Sequence, residues 1–142
     1  MYIDYKSKDG DFGNKKELEL LEDLKILFND ESITKTEERY NLFDFRCKSG
    51  FIECKSRRCN SNTYLTTIVG MNKIDSIDPI LSYYFVFQFT DDILFCKYNQ
   101  LDFDGFEKRV ISRRDRGRIE SALYCCIPIA YLTQFKSTSK FL

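Results

Sequence analysis

The chain has 142 residues, 43% of them hydrophobic, with 22 Lys+Arg balanced by 22 Asp+Glu and no histidine. That length and apolar content fit one compact α/β or α+β domain over residues 1–142, with a core that needs no disulfide or metal staple. Without histidine the commonest general base and the commonest zinc ligand are gone, so hydrolytic chemistry would have to run on carboxylates, lysine or cysteine. No apolar run approaches the roughly 18–20 residues that span a bilayer, and the opening Met1 to Lys6 has neither a basic region nor an apolar one of secretory type. An intracellular protein with no membrane contact and reduced, mostly buried thiols is expected.

In chain order, a polar entry over residues 7–14 leads into residues 15–28, where Leu20, Leu21, Leu24, Leu27 and Phe28 fall at helical spacing behind a plausible N-cap, Asn14. Three short strands are predicted next, over 32–37, 41–47 and 51–56. A polar loop over 57–62 precedes a short helix predicted over 66–77, closed by Pro79. The densest apolar segment, residues 82–89, pairs with 93–98 across Thr90-Asp91-Asp92 as a hairpin, and its first strand is apolar enough to lie centrally in a sheet. Beyond it come a basic stretch containing Arg113, Arg114, Arg116 and Arg118, an apolar run over 122–132 broken by Pro128, and a short polar tail.

The segment 41–56 carries the chemistry. With Ser49 and Gly50 as a two-residue turn, Lys48 pairs with Phe51, Arg46 faces Glu53, and Asp44 faces Lys55. Because side chains alternate along a strand, Asp44, Arg46, Glu53 and Lys55 gather on one face, and Phe45, Cys47, Ile52 and Cys54 point to the other. Two acids and two bases among core strands carry a desolvation cost that metal, substrate or ion pairing must offset. Paired carboxylates with a neighbouring lysine suit phosphodiester hydrolysis: hard oxygens hold a divalent cation, and the ammonium stabilises growing negative charge. The competing reading is a solvated sheet face with cross-strand ion pairs, each worth about 0.2–1 kcal/mol.

Asp44, followed nine residues later by Glu53-Cys54-Lys55 on two hairpin strands behind a helix, resembles the PD-(D/E)XK superfamily of restriction endonucleases, junction resolvases and related nucleases. Phe43 stands where the motif's name places proline, a position that varies in the superfamily. The resemblance implies a restriction-endonuclease-like core, a central mixed β-sheet of about 4–5 strands flanked by helices in the order α-β-β-β-α-β-β. It implies a Mg²⁺-dependent endonuclease acting on DNA, with Mn²⁺ able to substitute, and with Asp44, Glu53 and Lys55 catalytic. Metal would be held by Asp44, Glu53, the Cys54 carbonyl and a glutamate of the first helix. Glu17 is in phase with Leu20, Leu21, Leu24 and Phe28 and is the choice for that role, although an ordinary first-turn glutamate favoured by the helix dipole fits it too.

For the nucleic acid itself, Arg46, Arg57, Arg58, Lys73, Arg113, Arg114 and Arg116 are candidate contacts, and exposed charged loops are the alternative for the arginines. Residues 106–142 hold eight basic against three acidic side chains, so charge is segregated along the neutral chain. Cutting both strands of a duplex with so small a chain would require a homodimer. A catalytically inactive nucleic-acid-binding or protein-interaction module on the same fold is the alternative function.

Overall fold

The computed structural model describes residues 19–36 and 43–135. Asn14 and Glu17 lie outside the described residues. The fold is α+β, built on two sheets. Helix α1 covers residues 19–27. Strands β1 (Thr34–Lys35), β2 (Phe45–Arg46), β3 (Gly50–Ser56) and β4 (Thr66–Gly70) lead to helix α2 (Met71–Asp75). They are followed by β5 (Ser82–Gln88), β6 (Ile93–Lys97), α3 (Gln100–Asp104), β7 (Lys108–Asp115), β8 (Arg118–Pro128), a 3₁₀ turn (Ile129–Tyr131) and β9 (Thr133–Phe135).

Among the described residues the larger sheet has six strands in the order β1-β2-β3-β5-β6-β9. It is mixed: β3 and β5 run parallel, and the other neighbours run antiparallel. The two-residue β1 and three-residue β9 form its edges and take it beyond the four or five strands expected. As anticipated, β5 is central, and it alternates between two cores. Tyr83, Phe85 and Phe87 belong to one cluster with Phe43, Val69, Phe103, Cys125 and Ile127. Val86 belongs to the other with Leu20, Leu24, Ile33, Phe45, Ile52 and Ile93. Helix α1 therefore covers one face of the sheet, and β4, β8 and the α2 and α3 segments cover the other.

The second sheet, β4-β8-β7, was not anticipated. Residues 66–70, predicted as the start of a helix, form a strand because β8 supplies a ladder for them, from Thr66 opposite Pro128 to Gly70 opposite Tyr124. Their β-branched Thr66, Thr67, Ile68 and Val69 suit the pleat, and burial alternates along them. Only residues 71–75 remain helical. The basic stretch and the following apolar run form the β7–β8 hairpin, closed by Arg116 and Gly117, both with positive φ (56° and 77°) as a tight hairpin turn requires. All six cysteines are free. No helix among the described residues is long and apolar enough to cross a membrane.

Candidate active site

The β2–β3 turn differs from the expected one in position but not in parity. Cys47 and Gly50 exchange two backbone hydrogen bonds of 2.9 and 3.3 Å, so Lys48 and Ser49 are the loop residues. Asp30 fixes this choice. Its Oδ2 accepts the Lys48 N–H at 2.8 Å and its Oδ1 accepts the Ser32 N–H at 2.8 Å, clipping the turn to the end of α1. Gly50 is needed for space: an added Cβ would stand 1.9 Å from the Ser82 carbonyl oxygen of β5. The register pairs Phe45 with Ile52 and Arg46 with Phe51. Arg46 thus lies against Phe51, its guanidinium carbon 5.7 Å from the ring centroid, and not against Glu53 as the sequence register had it. Shifting by two residues keeps every side chain on its expected face. Continued by one pair, the register brings Asp44 opposite Glu53.

Glu53 is the centre of the site. Its side chain is 1% exposed, in the middle of β3 beside Phe85 of β5. Its Oε2 meets two ammonium groups, Lys55 Nζ and Lys73 Nζ, each at 3.2 Å. Its Oε1 is buried and has no hydrogen-bond partner. Lys55 comes from the same strand face and its side chain is 38% exposed, whereas Lys73 comes from α2 and is 18% exposed, with Nζ 5.6 Å from the Phe43 ring centroid. Lys73, expected along the nucleic-acid groove, stands as a close partner of the central carboxylate. A cation bordering the Met71, Ile74 and Ile77 stripe, which packs on the core, was the signal for it.

Asp44 completes the pair of acids. Its Oδ2 accepts the Cys54 N–H at 2.9 Å, bracing the end of β2 against β3. Burial pushes its carboxyl up to about 6, the Glu53 carboxylate pushes the same way, and the Cys54 N–H and Lys55 act against them. Within a strand the N–H and C=O of one residue point to the same edge, so the Cys54 carbonyl is directed to the side on which Asp44 lies.

These groups fit a hard divalent cation. Carboxylate oxygens and a backbone carbonyl are its preferred donors, Glu53 Oε1 lacks a partner, and a positive charge would relieve the repulsion that raises Asp44. Among the described residues no group of three or more His, Cys, Asp or Glu gathers around a common point, so the donors seen are two carboxylates and the carbonyl edge.

The remaining basic candidates divide. Arg57 continues the face of Glu53 and Lys55, but its guanidinium turns inward. Nε donates to Thr67 Oγ1 at 3.1 Å, Nη2 donates to the Ile68 carbonyl at 2.6 Å, and the group stacks on Phe87 at 5.6 Å. It ties β3 to β4, and its pKa is lowered by burial and then by Arg113. Arg58 is exposed at the following turn. Arg113, Arg114 and Arg116 lie on the β7–β8 hairpin. A surface cleft of about 960 Å³ opens beside α2 and α3 and includes none of Asp44, Glu53 or Lys55. Asp75, Asp102 and Asp104 line it, which disfavours a polyanion there.

Comparison with known protein families, curated sequences and solved structures gave no match to this chain.

Proposed function

We propose that this protein is a divalent-metal-dependent nuclease of the PD-(D/E)XK kind that hydrolyses phosphodiester bonds in DNA. The observation that carries this reading is Glu53: a carboxylate 1% exposed, with an unpartnered Oε1, beside Asp44 and with Lys55 on the same face. The helix, the β2–β3 hairpin and β5 beside β3 support a restriction-endonuclease-like core, with β4 inserted ahead of α2. The six free thiols support an intracellular location.

In this reading Asp44, Glu53 and the Cys54 carbonyl would hold Mg²⁺ or Mn²⁺, with Glu17 the candidate for a further carboxylate. When bound, the cation supplies Lewis-acid polarisation of the scissile phosphate and stabilises its growing charge. Lys55, the more exposed of the two lysines, orients the attacking water and adds positive charge at the phosphate. Lys73 holds Glu53 in place. A homodimer would supply the second site that a double-strand cut needs.

One observation favours a second reading, a catalytically silent nucleic-acid-binding or protein-interaction module. Lys55 and Lys73 already compensate Glu53 Oε2 without a cation. The two readings separate in a cleavage assay on supercoiled plasmid and branched DNA with Mg²⁺ or Mn²⁺, comparing wild type, Asp44→Asn, Glu53→Gln and Lys55→Ala. The nuclease reading expects cutting by wild type alone. Intact DNA in every lane, with DNA binding retained, supports the second.

A further inference from the structure

Strand β8 is paired on both sides only near its C-terminal end. Residues 124–128 pair with β4, but residues 118–123 pair with β7 alone and are all exposed. From Val110 opposite Leu123 to Asp115 opposite Arg118 the hairpin stands clear as a two-stranded ribbon of six residue pairs, about 17 Å long at the antiparallel rise. An isolated two-stranded hairpin is marginal in water, and this one also exposes Val110, Ile119 and Leu123. Such a projection is a reason to ask what it meets.

Its charge answers. Residues 110–123 hold four basic side chains and two acidic ones, a net positive charge, with Glu120 opposite Arg113. The register puts Arg113 and Arg118 on one face of the ribbon and Arg114 on the other, opposite Ile119. At the base of the ribbon Arg113 stacks on Tyr124 at 5.5 Å. It also lines, with Arg57, a cleft of about 440 Å³, so positive charge runs from the ribbon to the strand face that carries Lys55. Docking two such ribbons from two copies would bring two net-positive surfaces together, whereas a polyanion complements the net charge of the ribbon.

We propose that the β7–β8 ribbon is the element by which this protein grips duplex DNA, lying in the major groove with Arg113 and Arg118 toward one phosphate wall and Arg114 toward the other. The inference deepens the nuclease reading by naming its substrate as a double helix of B form. The major groove of B-DNA, about 12 Å wide, admits a two-stranded β-ribbon, while the deep, narrow major groove of duplex RNA does not. Val110, Ile119 and Leu123 share the face of Arg114 and are then covered by the groove wall instead of water.

The test is fluorescence anisotropy with short DNA and RNA duplexes in EDTA, where cleavage is suppressed, over a series of salt concentrations. Wild type binds DNA more tightly than RNA. Replacing Arg113, Arg114 and Arg118 together by alanine weakens DNA binding at least about tenfold and flattens the logarithmic salt dependence by about 2–3. Replacing the same three by lysine retains the salt slope and controls for folding of the hairpin, with circular dichroism checked for both variants. An unchanged slope in the alanine variant, a preference for RNA, or no DNA binding by wild type would overturn the proposal. So would a wild-type dimer that dissociates on Val110→Ser/Ile119→Ser/Leu123→Ser with DNA affinity intact, because the ribbon's occupant would then be a second copy. Ribbon-dependent binding without cleavage in Mg²⁺ would sink the nuclease reading and leave this one standing. Cleavage with ribbon-independent binding would do the reverse.

Discussion

Lys73 Nζ stands 3.2 Å from Glu53 Oε2, so a helix outside the central hairpin supplies half of the positive charge around the most deeply buried carboxylate described. Truncating one partner of a buried ion pair leaves the other uncompensated, and here Lys55 remains to soften the loss. Lys73→Met should therefore destabilise the protein by about 1–3 kcal/mol in urea unfolding at neutral pH. The double variant Glu53→Gln/Lys73→Met should recover most of that loss, because no buried charge is then left alone. Full additivity of the two single changes would show that the pair is not coupled.

Asp44 sets a pH dependence in metal-free protein. Its folded pKa, about 6, lies above the ordinary 3.8. Between these values the folded state binds the proton that the unfolded state has released. The contribution of this group is therefore present below 3.8 and is lost as pH rises through about 6, on the order of 3 kcal/mol in all. Asp44→Asn keeps an oxygen for the Cys54 N–H and removes the titration. In EDTA it should become more stable than wild type as pH is raised from 4 to 7, by urea melts along that range, with a flat difference above. Adding Mg²⁺ should narrow the gap at pH 7 by stabilising wild type alone.

Gly50 is constrained by β5. With a Cβ placed 1.9 Å from the Ser82 oxygen and 2.8 Å from its carbonyl carbon, Gly50→Ala must separate the parallel strands at their start. A loss of about 1–3 kcal/mol or more in chemical denaturation is expected. An alanine variant as stable as wild type would mean that β3 and β5 do not approach this closely.

Arg57 should behave as a structural arginine. Removing its guanidinium leaves the buried Thr67 hydroxyl and the Ile68 carbonyl without their donor. Arg57→Ala is expected to cost about 1–3 kcal/mol of stability, measured by thermal and urea unfolding. The slope of DNA affinity against salt should change little. A changed slope with unaltered stability would return Arg57 to the phosphate contacts.

Much of the larger sheet could be read from the chain because its signals are local. The Leu20–Leu24 spacing, the alternation along residues 82–89 and the turn before Ile93 each carry their own pattern. The face shared by Asp44, Glu53 and Lys55 was legible for the same reason, since parity survives a shift of two residues. What was not legible depends on distant partners. Gly50 suggests a turn residue, yet its cause is Ser82, and the turn is placed by Asp30. Residues 66–70 show their strand character only when β8 lies alongside. The ladder from Lys108 to Asp115 was masked by its arginines, which resemble an exposed loop until residues 118–125 are taken as the second strand. The partnership of Lys73 with Glu53 needs the three-dimensional return of α2 over β3, and its one local trace is the place of a cation beside the Met71, Ile74 and Ile77 stripe.

The most direct measurement of the central claim is the single-turnover rate of plasmid cleavage in Mg²⁺ by wild type, Asp44→Asn and Lys55→Ala, each confirmed folded by circular dichroism. Wild type should cut, EDTA should abolish cutting, and each variant should lose on the order of a hundredfold or more in rate. Equal rates in all three proteins, or cleavage that persists in EDTA, would contradict the account.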